Sequence, residues 1–510
     1  MKKKIKKGSP DKIWSKSIIS TGELKTKNSL DRTLTTIPRG EVRKMAERQK
    51  QPRSEWLVVS PDGSIIKADD FNWKEHDDLR DFYRYESSGS REAKQAPAHV
   101  KMMQQLELVD YEPAADPGNF RWLPKGHLIK RLMEEHVSTM VRNYGGMQVE
   151  SPIMYDLNHP QLSRYLERFP ARQYQLLSGK KKYFLRFAAC FGQYLIMHDM
   201  QLSYQHLPVR LYELTHYSFR RELAGELAGL RRLRGFTMPD MHTLCVDVEQ
   251  AKAEFYQQYL LCKEWMKDLE LDYVMAIRVV DDFFDQNRDF ILDIVKDFGQ
   301  PVLFERWKER SFYFILKFEF NVVDPQKKAA ALSTVQIDVE NAERFDIQYI
   351  DQDGKPKHPL LLHASISGSV DRNLYALLEQ QARKIKGREV PKLPYWLCPV
   401  QVRLVPVADR HLSQCLKIVS QMRTRVEVDD RNESVARKIR EAEVNWIPVI
   451  GVVGDKELKN GMITVRERGI PGQKEMKGPE FLQKLNQLQG NKPFEPLSWP
   501  LLLSKQPYFR

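Results

Sequence analysis

Seven side chains of differing chemistry crowd one stretch of this chain. Arg220, Glu222, Arg232, Arg234, Phe236, Asp240 and His242 all fall between residues 209 and 245. That stretch opens as VRLYELTHYSF, passes Gly225 and Gly229, and resumes as RLRGFTMPDMH. The pattern predicts two antiparallel strands joined by a glycine-containing loop. Residues two apart on a strand share a face, so Arg220 pairs in orientation with Glu222. Arg232, Arg234, Phe236, Asp240 and His242 have common parity on the second strand, with Pro239 able to break the register before the last two. Cations, a carboxylate, an aromatic ring and an imidazole on one floor suit a phosphorylated, ring-bearing ligand. Arginine meets phosphate oxygens in a planar fork, Phe236 could stack on a base, and Glu222 could accept from an exocyclic amine. Composition alone favours a plainer reading, an exposed hairpin of solvated charges.

Cys190, His242 and His363 are the other residues with ligating chemistry. They lie far apart, and no spacing rule joins them. Taken singly, a cysteine among apolar neighbours is most often a buried packing residue, and such a histidine a satisfied core residue.

Periodicity defines the elements that must position these groups. LIKRLMEEHVSTMVRNYGG places Ile129, Leu132, Met133, His136, Val137, Met140 and Val141 on one helix face, stopped by Gly145 and Gly146. MQVESPIMYD follows as a strand broken at Pro152. KYFLRFAACFGQYLIMHDM runs from strand into an apolar helix and carries Cys190. Residues 247–271 predict an amphipathic helix. VMAIRVVDDFF, SFYFILKFEFNVVD and STVQIDVENAERF predict strands. PLLLHASISGSVDRNLYALLEQQARKIKG predicts a strand, a break at Gly368 and a helix. Beyond the proline-bearing REVPKLPYWLCP, strand and helix patterns alternate from VQVRLVPVA to IPVIGVVG. Such alternation predicts a small α/β domain with a mainly parallel sheet. Near the start, EWLVVSPDGSIIKADDF reads as a hairpin about a Pro-Asp-Gly turn.

RREL, a loop and GLRRLRGFTMPDMH together resemble the second signature motif of class II aminoacyl-tRNA synthetases. The form is most similar to that of the archaeal threonyl-tRNA synthetases. The helix and proline-ended strand near residues 128–156 resemble the first motif, and the strand–Gly368–helix unit resembles the third. The resemblance implies an α+β catalytic domain, an antiparallel sheet flanked by helices, followed by a C-terminal α/β anticodon-binding domain whose closing hairpin matches GDKELKNGMITVRERG. It divides the chain into a basic, disordered arm at 1–53, a hairpin and linker region at 54–95, the catalytic domain at 96–388, the anticodon-binding domain at 389–490, and a tail of unassigned role at 491–510.

By the same resemblance Arg220 binds the α-phosphate of ATP, Glu222 reads the adenine amino group, Phe236 stacks on adenine, Arg232 is a second ATP-binding arginine, and Arg372 grips the γ-phosphate. Cys190, His242 and His363 match the ligands of a catalytic zinc that binds the amino group and hydroxyl of threonine. Asp240 matches the acceptor of that hydroxyl. Gln336, Lys317 and Tyr313 match further pocket residues, the last two on FYFILKFEF, which lacks the glycine-proline of many bacterial relatives. Glu441, in KIREAE, matches a position that reads an anticodon base. The implied partners are ATP with Mg2+, L-threonine and tRNA(Thr), in a homodimer. A site that ligates the hydroxyl rejects valine, whereas serine differs from threonine by one methyl, a distinction of about 1–3 kcal/mol. About 95 residues precede the core, too few and too basic for the family's editing domain. The expectation is therefore an enzyme without cis-editing, served by a separate trans-editing protein. The alternative is a synthetase-like binding or regulatory protein that has lost catalysis, but one of those is expected to have lost ATP or metal residues as well.

Composition sets the outer limits. With 510 residues, 42% of them hydrophobic, the chain can bury two or three domain cores. No apolar run approaches the roughly 20 residues of a membrane span. Five scattered cysteines without a CxxC pair argue against a disulfide framework and for a reducing, cytoplasmic setting. A net charge of +13 points to a polyanionic partner, nucleic acid first.

Overall fold

The computed structural model describes residues 54–88, 96–166 and 173–509. The basic arm expected over residues 1–53 lies outside them. A ten-stranded sheet organises the catalytic part. Its order is Ile65–Lys67, Ser54–Val59, Val302–Trp307, Val274–Val280, Phe314–Val323, Ala329–Asp338, Leu360–Ser365, Gly235–Cys245, Val209–Phe219 and Met147–Gln148. Neighbours are antiparallel except Val274–Val280 with Val302–Trp307, and Met147–Gln148 with Val209–Phe219. The hairpin at Pro61–Gly63 turns where Gly63 takes φ +83°, and its first strand pairs from Ser54↔Trp307 to Val59↔Val302. The stretch read as a linker thus forms one margin of the sheet.

Helices Pro124–Asn143, Val248–Asp268, Arg288–Phe298 and Val370–Lys386 cover one face and share the largest apolar core. Each begins or ends on a recognisable signal. Proline opens the first, where its missing N–H costs nothing. Asp247 caps the second by accepting from the Gln250 N–H. Gly299, at φ +77°, stops the third. The second helix buries Phe255, Tyr259 and Trp265, and side chains of this size contribute about 1.5–3 kcal/mol each on burial. The opposite face of the sheet is covered only in part. Helix Asp77–Ser88 lies over one end around Val58, Phe82, Ala276 and Leu303. A smaller core of Tyr155, Leu162, Phe184, Phe191, Tyr194 and Phe345 covers the other. The candidate site lies between.

Two expectations need correction. The strands of the charged stretch end at Phe219 and resume at Gly235, so Arg220, Glu222, Arg232 and Arg234 belong to the intervening loop, which a short turn at Ala224–Glu226 folds back. The Arg234 N–H bonds Gly118 O, and the Leu230 N–H bonds His99 Nε2, instead of extending the ladder. Pro239 does not break the parity. It sits opposite Leu214, and the irregularity falls earlier, between Phe236 and Met238.

The C-terminal sheet is ordered Val426–Val428, Val402–Pro406, Val449–Val453, Met462–Glu467, Lys474–Lys477. Its first three strands are parallel and its last two antiparallel. It is mixed, not mainly parallel, because the closing hairpin needs no crossover helix. DKELKN within GDKELKNGM is helical, spanning Asp455–Asn460, and Gly461 at φ +63° ends it.

Candidate functional site

Strand register brings the site together. His242 pairs with His363, His363 with Gln336, Gln336 with Lys317, Lys317 with Arg278, and Arg278 with Glu305. Directly opposed residues share a face, so six polar side chains from six strands form one row across the incompletely covered side. A second row runs parallel to it, with Asp240 opposite Glu213, and Ser365, Thr334 and Glu319 opposite one another. Phe236, Met238, Asp240 and His242 alternate with Thr237, Pro239, Met241 and Thr243, and only the first set faces the cavity.

That cavity measures about 240 Å³ and is lined by Cys190, Arg220, Phe236, Asp240, His242, Tyr313, Gln336 and His363 together with residues the sequence reading missed, among them Met238, Thr334 and Ser365. Glu222, Arg232, Arg372 and Lys317 flank it instead of lining it. Glu222 is buried between guanidiniums, with Arg220 Nε at 3.2 Å and Arg232 Nη2 at 2.8 Å. Arg372 is held by carbonyls, its Nε donating to Arg231 O at 3.1 Å and its Nη1 to Ala331 O at 3.3 Å. Burial, with Arg232 beside it, pulls its basicity below the ordinary arginine value. An anion placed between these cations would relieve that crowding. Gly368 sets where the Arg372 helix starts. It has φ +65°, and a Cβ there would lie 2.3 Å from Leu332 O, so only glycine fits. Glu441 stands apart in helix Val435–Val444 of the C-terminal domain, paired with Arg431 at 2.7 Å and Arg437 at 3.0 Å.

Cys190 opens helix Cys190–His198 and points at the two histidines. Its Sγ is 3.8 Å from His363 Nδ1, which lies 3.1 Å from His242 Nε2. The three ligand atoms all fall within 4.8 Å of one another. Sulfur and nitrogen ligands of a tetrahedral zinc are about 3.3–3.6 Å apart. Surrounding groups settle which nitrogens carry the proton. Gln193 Nε2 donates to Asp240 O at 3.2 Å, so its Oε1 faces His242 Nδ1 at 2.8 Å and requires the proton there. Asp338 Oδ2 faces His363 Nε2 at 2.6 Å and requires the proton on that nitrogen. Two acceptors therefore confront each other at 3.1 Å, and neither can donate to the other. A shared cation satisfies both, and partners on the far nitrogens are what metal-bound histidines have. Burial, with His363 second, holds the His242 imidazole neutral, and burial pushes the Cys190 thiol well up. Burial also pushes the Asp240 carboxyl up to about 7. The donor set fits zinc.

Support comes from behind. Arg186 Nη1 bonds Glu213 Oε1 at 2.6 Å and Ser151 Oγ at 2.8 Å, locking the loop before Cys190 to strand Val209–Phe219, where Glu213 sits opposite Asp240. A Cβ on Gly192 would come within 2.0 Å of Ser151 Oγ. Gln193 and Tyr194 were legible, since residues three and four after Cys190 share its helix face. Tyr194 OH lies 2.9 Å from His363 Nε2 and 3.2 Å from its Nδ1. Asp338 had no local signal. Tyr313 donates to Gln336 Oε1 at 2.8 Å and its ring lies 5.2 Å from that of His363.

The sheet, its half-covered face and the appended mixed sheet define a class II aminoacyl-tRNA synthetase core with an anticodon-binding domain. The family model "tRNA synthetase class II core domain (G, H, P, S and T)" matches residues 174–381, and "Anticodon binding domain" matches residues 401–488. The chain is 54% identical to the threonine–tRNA ligase of Pyrococcus horikoshii over 487 residues, 93% of this chain and 78% of that protein. It is 50% identical to that of Thermococcus onnurineus over 510 residues, 99% of this chain and 80% of that protein. It belongs to the threonine–tRNA ligase family. The same fold recurs in a solved Cryptosporidium parvum threonyl-tRNA synthetase RNA-binding domain, with TM-score 0.68 and 20% identity over 80% of this chain and 99% of that one. A Giardia lamblia prolyl-tRNA synthetase aligns with TM-score 0.62 and 17% identity over 76% of this chain and 78% of that one.

Proposed function

We propose that this protein activates L-threonine with ATP and transfers it to tRNA(Thr). The threonine carboxylate attacks the α-phosphorus of ATP, and pyrophosphate leaves. The terminal hydroxyl of the tRNA then attacks the adenylate carbonyl, and AMP leaves. The first step needs charge neutralisation and alignment at phosphorus more than proton transfer. Arg220, at the cavity wall, takes the α-phosphate. Arg372 takes the γ-phosphate and Arg232 assists, with Mg2+ accompanying the nucleotide. Phe236 offers its ring to adenine, and Glu222, ion-paired with a guanidinium on either side, accepts from the adenine amino group.

A zinc ion held by Cys190, His242 and His363 would offer an open coordination position to the amino group and hydroxyl of threonine. Asp240, on the same strand face as His242, accepts from that hydroxyl. Gln336, fixed by Tyr313, helps to seat the amino acid. Lys317, in the next strand of the row, completes the floor. Valine has the shape but not the hydroxyl, so it leaves these polar groups without a partner, a far larger penalty than one methyl in an apolar pocket. The observation that carries this reading is the meeting of one thiol and two unprotonated imidazole nitrogens beside Asp240. The reading also includes a homodimer formed along the sheet margin at Met147–Gln148, supported by the exposure of Met147 there and of Ile153 and Met154 just after it in the chain. Among the described residues no helix is long and apolar enough to cross a membrane.

The test is amino-acid-dependent ATP–pyrophosphate exchange. Threonine and serine should support it, and valine should be nearly silent. Cys190→Ala should release its zinc to a chromophoric chelator and lose threonine-dependent exchange. Exchange with valine equal to that with threonine would end the metal-recognition reading.

A further inference from the structure

The segment that follows helix Gly478–Gln489 crosses the joint between the two domains and returns. Lys492 ion-pairs with Asp268, and Glu495 with Arg131 at 3.0 Å, both on helices of the catalytic side. Phe494 lies 5.8 Å from the guanidinium of buried Arg425. Trp499 packs against the catalytic core and, at the same time, against the small C-terminal core around Val405, Ala442 and Ile450. Its Nε1 donates to Glu427 Oε1 at 3.1 Å. The Val428 N–H donates to Leu501 O at 2.9 Å, laying the segment along the outer strand Val426–Val428. Ser504 then gives its N–H and hydroxyl to the two oxygens of Asp430, at 2.9 and 2.6 Å. The Phe509 N–H ends on the catalytic side at Glu107 Oε1, 3.1 Å away.

What the segment holds is the part of the C-terminal domain that carries Glu441. Arg431, next to Asp430, ion-pairs with both Asp429 and Glu441 at 2.7 Å. Loop 429–431 is therefore shared between the tail on one side and helix Val435–Val444 on the other. Immediately after that helix, Asn445 and Trp446 meet Leu106, Leu108 and Lys125 of the catalytic side around a cavity of about 30 Å³.

We propose that residues 491–509 are a positioning strap for tRNA, setting the angle between the anticodon-binding unit and the active site. Domains joined by a single linker pivot by default. A tRNA gripped at its anticodon turns a small tilt into a large displacement at its other end, where alignment with the adenylate matters most. A second crossing of the joint, wedged by Trp499, removes that freedom. This inference rests on the anticodon reading of the C-terminal domain.

Ser504→Ala and Trp499→Ala in the full chain test it. With full-length tRNA(Thr) transcript, Ser504→Ala should raise the aminoacylation KM for tRNA about two- to tenfold, and Trp499→Ala about tenfold or more. Threonine-dependent ATP–pyrophosphate exchange should stay within about twofold of the unaltered protein, since the strap touches no group that binds ATP or threonine. An acceptor-stem minihelix, which has no anticodon, should be charged by both variants as by the unaltered chain. Unchanged tRNA kinetics in both variants would overturn the proposal. So would a loss that is equal for tRNA and minihelix, or a parallel fall in exchange. If Trp499→Ala does not fold, Ser504→Ala, at an exposed position, decides alone. Glu441→Gln assayed beside them keeps the two ideas apart: if it is silent while the strap variants raise KM, the role of Glu441 fails and the strap stands.

Discussion

Asp338 and Gln193 orient the two histidines with different chemistry, a carboxylate behind His363 and a neutral amide behind His242. Asp338→Asn removes the charge while leaving an oxygen to accept from the Glu340 and Asn341 N–H groups. Zinc affinity should fall about 10–100-fold, as for other partners of metal-bound histidines, measured by competition with a chromophoric chelator. An affinity equal to that of the unaltered protein would show that Asp338 does not orient the ligand. At this scale the residue types were legible and their company was not. Cys190, His242 and His363 could be named from motifs, but Asp338 reaches His363 only because strands 329–338 and 360–365 pair in one register.

Among the elements, the polar row across the sheet carries a second cluster. Arg278 meets Glu86, Glu305 and Glu319, and Lys317 joins it through Glu319 at 2.8 Å. Burial alone would raise the Glu319 carboxyl, but Arg278 and then Lys317 outweigh it and hold it well below its ordinary value of 4.5. A depressed carboxyl binds fewer protons folded than unfolded, so its stabilisation is present above about pH 4.5 and is lost as pH falls below it. Thermal unfolding of Glu319→Gln should therefore lose less of its midpoint between pH 5 and pH 3 than that of the unaltered protein; an identical slope counts against the assignment. Arg278→Met should destabilise by about 3–5 kcal/mol in denaturant unfolding, because it leaves buried carboxylates unpaired. Gly368→Ala should strain a left-handed position and push Leu332 O, costing about 1–3 kcal/mol or more, and raise KM for ATP by moving the helix that bears Arg372.

At the scale of the whole molecule, charge should separate the substrates. The net charge of +13 favours a polyanion whose binding releases counterions, so KM for tRNA should rise steeply between 50 and 200 mM salt, roughly 10³-fold if six phosphates are contacted. KM for threonine should change little over the same range. Equal salt dependence of the two would argue against phosphate contacts as the main source of tRNA affinity. Most of the elements, the three motifs and the order of the two domains were legible in the residues, because apolar periodicity and glycine or proline signals act over a few positions. The hairpin at residues 54–67 as a sheet margin, the loop that carries Arg220, Glu222 and Arg232, the mixed C-terminal sheet and the path of residues 491–509 were not. Each depends on which distant segment supplies the partner for a backbone N–H or covers an apolar face, and nothing local records that choice. Sequence by itself determined which guanidinium, carboxyl, thiol and imidazole groups the chain has to offer. Only the tertiary structure decided that one thiol and two imidazoles share a point, since the register of non-adjacent strands, not their spacing along the chain, sets that distance.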